Sequence, residues 1–312
     1  MSIASKFLRS IWSQTRAAAA AARITREERD SGKLAVHLLA SAEILVTGKQ
    51  PYQMATFRKD RVIGHSVRTT GLFEENAILQ VLAFTGLPPN RTVFLDVGAN
   101  IGTHSLFALQ NGFGTAVCIE PEPDNFMLLR INQILNGVDS QCVNINAAAS
   151  NHAGEQQLEL SETNFGDHRI RAVIDDGDNR HNEQARRLRT VKAAPLDALI
   201  AEAGIVPEAI GLAWIDTQGY EGQVLAGAKS LLNANVPIVL EFWPYGLKRT
   251  GGYGLLRAFL AEQHAILDIR KPLSGQTPLT LEELDGYFDE WVLLDKNDIS
   301  YHTDLLLMPK QG

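Results

Sequence analysis

Cysteine is scarce in this chain: two residues, Cys118 and Cys142, among 312. Two thiols cannot build a disulfide framework or a cysteine-rich zinc module. Both sit in apolar, strand-like runs, which suits buried small side chains in a reducing cytosol. No stretch reaches the ~18 apolar residues that a membrane span needs. The N-terminus lacks the continuous apolar core of a secretory signal. Positive charge is also in short supply. The 29 Lys and Arg are outnumbered by 36 Asp and Glu, for a net charge of -7. That excludes nucleic-acid binding through bulk charge. Hydrophobic residues at 45% and charged residues at 21% describe a folded globular chain. At ~100–200 residues per domain, the length allows one large domain or two ordinary ones. Such a chain buries about three quarters of its unfolded surface without a staple.

The charge is unevenly spread. Residues 1–29 hold six basic and two acidic groups, a local net of +4, which leaves -11 for the remainder. Wound as a helix, this arm places Ile3, Phe7, Leu8, Ile11 and Trp12 on one side and Lys6, Arg9, Arg16 and Arg23 on the other. It reads as a helix packed on its own domain, or as one resting on an anionic membrane or a partner. Residues 33–47 (KLAVHLLASAEILVT) are expected to form a second helix, with His37 in its apolar stretch, and residues 73–85 a third. Residues 1–90 are thus expected to be a helical preface.

From residue 92 short apolar runs alternate with helical ones. TVFLDVG, TAVCIEP and CVNINAAAS read as strands separated by THSLFALQN and PDNFMLLRINQILNG as helices. This β-α-β-α-β order implies a parallel sheet wrapped by helices. QQLEL and RLRTVKA look like strands around a polar insertion at 161–187. Further on, IGLAWID, PIVLEFW and AILDIR read as strands between the helices PLDALIAEAG, EGQVLAGAKSLLN and GLLRAFLAEQH. WVLLD and HTDLLLMP are expected as a closing pair.

The strongest chemical signal is the run Phe94 to Gly102, where a buried strand enters a glycine turn and then a helix. Gly98 and Gly102 permit a sharp turn and a close approach to a ligand. In a doubly wound sheet that turn faces the cleft at the carboxyl ends of the strands. A dinucleotide fingerprint, G-x-G-x-x-G, requires glycine where this chain has Asn100 and Thr103. D-x-G-x-N-x-G suits S-adenosylmethionine instead, because Asp96 would compensate a sulfonium and an ammonium but repel a pyrophosphate. Glu120, at the tip of the next strand and 24 positions on, is placed to accept two hydrogen bonds from a ribose diol.

The order VFLDVGANIGTHS, VCIEPEPDNF, INAAAS, NFGDHRI, PLDAL, IDTQGYEGQVLAGA, VLEF resembles the FkbM family of S-adenosylmethionine-dependent methyltransferases over about residues 70–310. The resemblance implies a class I, Rossmann-like α/β fold. Its seven-stranded sheet is mostly parallel, with one antiparallel strand near the edge and helices on both faces. The domain would occupy 91–312, with an insertion at about 155–192. The resemblance also implies O-methylation, commonly of a sugar, glycan or natural-product hydroxyl. On this reading Asp96, Gly98, Asn100 and Gly102 cradle the methionine and sugar portions of S-adenosylmethionine, Glu120 holds the ribose, and Ala148 to Ser150 line the adenine side. Asp216 and Glu241, each at a strand's carboxyl end, and His168 in the NFGDHRI turn are the acceptor-side candidates for catalysis. The family often has glutamate where this chain has Gln218, so no acidic role is carried over there. Glu221 opens a helix, where an acid is favoured by the dipole in any case. Asp216, Glu221 and Glu241 show no dedicated metal spacing, and no metal is assigned. A nicotinamide-dependent oxidoreductase and a non-catalytic S-adenosylmethionine-binding module are the competing readings.

Overall fold

The computed structural model of the chain describes residues 35–38, 44–49, 52–71, 73–87, 89–171, 179–263, 265–295 and 300–309. The basic arm, with the amphipathic helix expected there, lies outside the described residues. The preface that follows it is not all helix. Strands β1 (Ala35–Leu38), β2 (Ile44–Lys49) and β3 (Tyr52–Phe57) form an antiparallel meander. The described residues of the run 33–47, expected as one helix, therefore lie in two strands. Its short apolar stretch fits either period, and the β-branched end of Ile44-Leu45-Val46-Thr47 favours the pleated one. Two helices follow, α1 (Ile63–Thr70) and α2 (Glu75–Thr85), the second where it was expected.

The large sheet begins at β4 (Val93–Val97). It continues through α3 (Thr103–Gln110), β5 (Thr115–Ile119), α4 (Pro123–Leu135) and β6 (Cys142–Ile145). The run expected as a single third strand then breaks, because β7 (Ala148–Ser150) leaves for a smaller sheet. That sheet is completed by β8 (Gly154–Leu160), β9 (Arg169–Ile170) and β10 (Arg187–Pro195), in the order β7-β10-β8-β9. The chain returns through α5 (Leu196–Glu202) to β11 (Ile210–Ile215). Next come two short helices, α6 (Glu221–Ala226) and α7 (Lys229–Asn233), where one was expected. They part at Gly227, which packs against the Ser150 carbonyl. Then follow β12 (Ile238–Phe242), α8 (Pro244–Thr250), α9 (Tyr253–Leu260), β13 (Ala265–Asp268), α10 (Leu281–Leu294) and β14 (Thr303–Met308). WVLLD, expected as a strand, is the end of α10, which starts from a Thr280–Glu283 capping box.

The large sheet runs β13-β14-β12-β11-β4-β5-β6, with β14 antiparallel to both neighbours and the other strands parallel to one another. Both faces are covered. Val93, Leu95 and Val97 of β4 point to one core with α5, α6, α7, α9 and α10, while Phe94 points to the other with α1 to α4 and β3. Buried on both faces, these strands read as continuous apolar runs.

The meander is joined to this layer through a side-chain imitation of a β-ladder. Asn132 on α4 and Asn136, the residue that caps its carboxyl end one turn later, each exchange hydrogen bonds with the backbone of β3. Asn132 Oδ1 accepts from Ala55 N at 2.6 Å and its Nδ2 donates to Ala55 O; Asn136 does the same at Gln53. The open edge of β3 is thereby covered.

Helices α6 and α9 meet at Gly222, where an added Cβ would lie 2.0 Å from the Gly252 carbonyl oxygen. Gly222→Ala should cost about 1–3 kcal/mol through overpacking. Gly254→Ala, on the exposed face of α9 with nothing within 4 Å, should be neutral or slightly stabilising. Urea-denaturation midpoints check the pair. Equal midpoints would mean that α6 and α9 do not approach this closely.

Candidate active site

A cleft of about 510 Å³, part of it open to solvent, lies at the carboxyl ends of β4, β5 and β11. Its apolar wall comes from Ile119, Pro121, Ala148, Ala149, Leu158 and Ile170, and its polar floor from Asn100, Glu120, Asp216 and Gln218. Among the described residues, no lysine or arginine lines it.

The glycine turn forms the floor because β4 and β11 lie parallel, pairing Val97 with Ile215, and end at the same level. Gly98 sits at φ 86°, and a Cβ there would stand 1.8 Å from the Asp216 carbonyl oxygen. The turn's own amides are all committed. Gly98 and Ala99 donate to Ile119 O, Asn100 N to Glu120 Oε2, Ile101 N to Asn100 Oδ1, and Gly102 N to Ala99 O. None is left to cradle a phosphate.

Glu120 is almost fully buried, with Oε1 accepting from Glu122 N at 2.7 Å and Oε2 from Asn100 N at 2.9 Å. Burial outweighs these donors and pushes its carboxyl up to about 8. Above it, the Asn164–Arg169 turn closes the cleft. The Phe165 carbonyl accepts from both Asn100 Nδ2 and Asn125 Nδ2, each at 2.9 Å, and the Phe165 ring stacks on Phe57 with centroids 4.5 Å apart. Beyond the turn, buried Arg169 bonds Asp167 and Glu183 and lies over the Trp243 ring. Arg186 reaches the same Asp167. These charges knit the insertion together, and the Arg169–Trp243 contact ties it to the end of β12.

Asp216 and Glu241 share one donor: Gln218 Nε2 lies 2.7 Å from Asp216 Oδ1 and 3.1 Å from Glu241 Oε2. Fully buried Glu221 accepts at Oε1 from Thr217 N, Thr217 Oγ1 and Gly219 N. Burial raises Asp216 to about 6 and Glu221 to about 7. It raises Glu241 well above the carboxylate range, reinforced by Asp216 and Glu221. His104 stands nearby, its Nε2 3.2 Å from Glu74 Oε2 and its ring 4.8 Å from Trp214. Burial would lower its pKa, but Glu74, Asp96 and Asp216 together bring it up to about 9.

His168 was expected as an acceptor-side base, and its geometry argues otherwise. The Ser161 backbone N–H donates to Nδ1 at 3.0 Å, so the ring proton sits on Nε2. Burial lowers its pKa to about 4. The ring is a neutral hydrogen-bond donor at physiological pH, with no lone pair free to take a proton.

Of the residues expected in the site, Gly98, Asn100, Glu120, Ala148, Asp216 and His168 line one cleft. Asp96 does not. It is wholly buried beneath the turn, with Oδ2 accepting from Ser105 Oγ and Oδ1 meeting no donor. Gly102 also lies outside the lining, and its missing Cβ makes room for Leu129 of α4. Ser150 is buried behind the wall, near Tyr220 Oη at 3.3 Å, and Glu241 is reached only through Gln218. The residues that sequence reasoning passed over are the apolar wall on β8 and β9 and Asn125, which holds the roof together with Asn100. Asn125, in the first turn of α4 after Glu120-Pro121, carried a legible signal. Leu158 and Ile170 carried none, because they belong to a different sheet.

The strand order β6-β5-β4-β11-β12-β14-β13, with β14 reversed, is that of the class I methyltransferases, and this is the class of protein the fold and cleft define. Within it the chain belongs to the FkbM methyltransferase family, whose methyltransferase FkbM domain matches residues 96–268. None of the curated proteins matches the chain. Solved structures that it resembles include the methyltransferase FkbM of Methylobacillus flagellatus KT. That match has 16% identity over 55% of this chain and 37% of that one, with a TM-score of 0.36. Another is a SAM-dependent O-methyltransferase of Thermotoga maritima (8% identity, 77% and 68% covered, TM-score 0.39). A third is the geranyl diphosphate C-methyltransferase of Streptomyces coelicolor A3(2), solved with S-adenosyl-L-homocysteine (10% identity, 80% and 81% covered, TM-score 0.39). The chain spans little more than a third of the Methylobacillus protein.

The state of His168 is open to a stability measurement. Its pKa is about 4 folded and ~6.5 unfolded, so the unfolded chain takes up a proton first as pH falls. Stability is therefore lost between pH ~6.5 and 4. Between pH 7 and 5 the wild type should lose about 2 kcal/mol more than His168→Gln. Parallel losses in urea titrations would show that His168 is free to protonate in the folded protein.

Proposed function

We propose that this chain is an S-adenosylmethionine-dependent O-methyltransferase that acts on a hydroxyl of a sugar, glycan or natural product. One observation carries the reading. Among the described residues, the cleft beneath the NFGDHR turn presents carboxylates and no lysine or arginine, over a glycine turn with no amide to spare. Such a site repels a pyrophosphate, which weighs against the nicotinamide reading. It suits a ligand with a sulfonium and an ammonium. The apolar wall and the buried Glu120 carboxylate fit the shape and polarity of that donor.

Bound there, S-adenosylmethionine supplies an electrophilic methyl group on a leaving thioether that needs no acid. The remaining work falls to the protein. Glu120 accepts from the ribose hydroxyls. Ala148, Ala149 and Ile119 enclose the adenine. The Phe165 roof, tied to Asn100 and Asn125, keeps water from the donor. Asp216 faces the cleft as the carboxylate that receives the acceptor's hydroxyl proton or orients its oxygen, held in place by Gln218. Alignment of the acceptor oxygen with the methyl group contributes much of the acceleration, and proton removal ~10²–10⁴-fold more.

Calorimetry should show binding of S-adenosylmethionine and S-adenosylhomocysteine but not NAD. Methyl transfer to a panel of sugar and polyol hydroxyls separates an enzyme from a silent binding module. The Glu120 assignment has its own signature. Methylthioadenosine carries the ribose but no titrating amino-acid portion, and ribose hydroxyls favour the ionised carboxylate. Because Glu120 titrates near pH 8, affinity should rise about five- to tenfold from pH 7 to 9 and be flat and weaker in Glu120→Gln. A wild-type affinity independent of pH, or an unweakened Glu120→Gln, would remove Glu120 from the ribose site.

A further inference from the structure

Most of the buried acids in this protein away from the cleft are matched with cations. Glu122 has Arg189, Glu159 has Arg249, Glu183 has Arg169, and Asp268 has Arg270. The group at the carboxyl ends of β11 and β12 is different. Asp216, Glu221 and Glu241 each bring a carboxylate oxygen within 4.8 Å of the other two. No lysine or arginine among the described residues forms an ion pair with any of them. Glu241 also stands directly across the antiparallel ladder from Asp304, a like-charged pair that is costly when left alone. The basic side chains that act on Asp216 are His104, already bonded to Glu74, and His302.

The oxygens are divided in a telling way. Asp216 Oδ1 and Glu241 Oε2 take the two contacts of the Gln218 amide, and Glu221 Oε1 takes the three donors of the Thr217–Gly219 turn. Among the described residues no donor reaches Asp216 Oδ2, Glu241 Oε1 or Glu221 Oε2. Glu221 Oε2 is fully buried as well, so water does not satisfy it. A buried carboxylate oxygen without a partner, inside a group of three acids with no arginine, is costly unless something positive binds.

We propose that Asp216, Glu221 and Glu241 form a binding site for one hard divalent cation of the Mg²⁺ or Mn²⁺ class, beside the floor of the cleft. All the donors are carboxylate oxygens, which select hard ions over zinc or copper. Such ions keep several coordination positions for water or substrate oxygen. Asp216 lines the cleft, so an acceptor hydroxyl reaching it would find the cation within ligand distance and be held by it. That consequence rests on the methyltransferase reading, whereas cation binding does not. It also gives Gln218 a purpose. Its neutral amide holds two of the carboxylates in place without competing as a charge.

Electron paramagnetic resonance of Mn²⁺ added to the full chain tests the site, because bound Mn²⁺ loses its free-ion signal. The expected result is one equivalent taken up per chain and displaced by Mg²⁺. Affinity should fall at least tenfold in Glu221→Gln and in Glu241→Gln, and hold in Glu120→Gln. Wild type and Glu221→Gln taking up Mn²⁺ equally, or wild type taking up none at millimolar concentration, overturns the proposal. If Glu221→Gln fails to fold, as judged by near-UV circular dichroism, Glu241→Gln decides in its place. S-adenosylhomocysteine affinity is measured on the same samples. Its retention without Mn²⁺ uptake removes the cation site and leaves the methyltransferase reading. Mn²⁺ uptake without it does the reverse.

Discussion

Strands β4 and β11 run side by side and leave the sheet at the same level, and Gly98 and Asp216 meet there. A Cβ on residue 98 would lie 1.8 Å from the Asp216 carbonyl oxygen, so only glycine permits the two turns to touch. That one close approach brings the glycine turn, the acidic strand end of β11 and, through the β4–β5 pairing, Glu120 to a common floor. Crossover chirality and strand order place the cleft at this end of the sheet. The missing Cβ decides how tightly its floor closes.

The roof is held from the opposite direction. One carbonyl, that of Phe165, receives an amide from the glycine turn and another from α4, and its ring rests on the last residue of β3. The N-terminal meander therefore acts on the cleft although it contributes little to its lining. It reaches the main layer through the paired asparagines of α4 and positions Phe57 beneath the roof. Meanwhile Arg169 and Arg186 knit the insertion together through Asp167 and Glu183, and Arg249 of α8 fastens it to the main layer through Glu159 and Glu183. The cleft is preformed because both halves are tied by hydrogen bonds and buried ion pairs, not by apolar contact alone.

Electrostatics separates the insertion from the cleft floor beneath it. Around the insertion, buried acids meet arginines. Around Glu120, Asp216, Glu221, Glu241 and Asp304 they do not, and burial raises the carboxyls there. Uncompensated buried charge lowers stability, and its concentration at one cleft is the pattern expected where a protein holds a positive ligand.

Much of this was legible in the linear chain. The runs TVFLDVG and TAVCIEP, with their helices, identified the parallel sheet, because strands buried on both faces are continuous apolar segments. Gly98, Asn100, Glu120 and Asp216 could be placed at one cleft because strand ends in such a sheet share a side. The sequence was ambiguous wherever local pattern and tertiary partner disagreed. Residues 33–47 suited a helix until a meander supplied strand partners. WVLLD suited a strand until the Thr280 cap extended a helix through it. CVNINAAAS read as one strand although β6 and β7 join different sheets. His168 carried the right side chain for a base, but a backbone amide from Ser161 takes the nitrogen that a base would need. The sequence by itself determined the fold class, the family and the carboxylates at the strand ends, because these follow from periodicity and order along the chain. Only the tertiary structure decided which of those carboxylates meet, which stay unpaired and which proton His168 carries, because those depend on contacts between residues far apart in sequence.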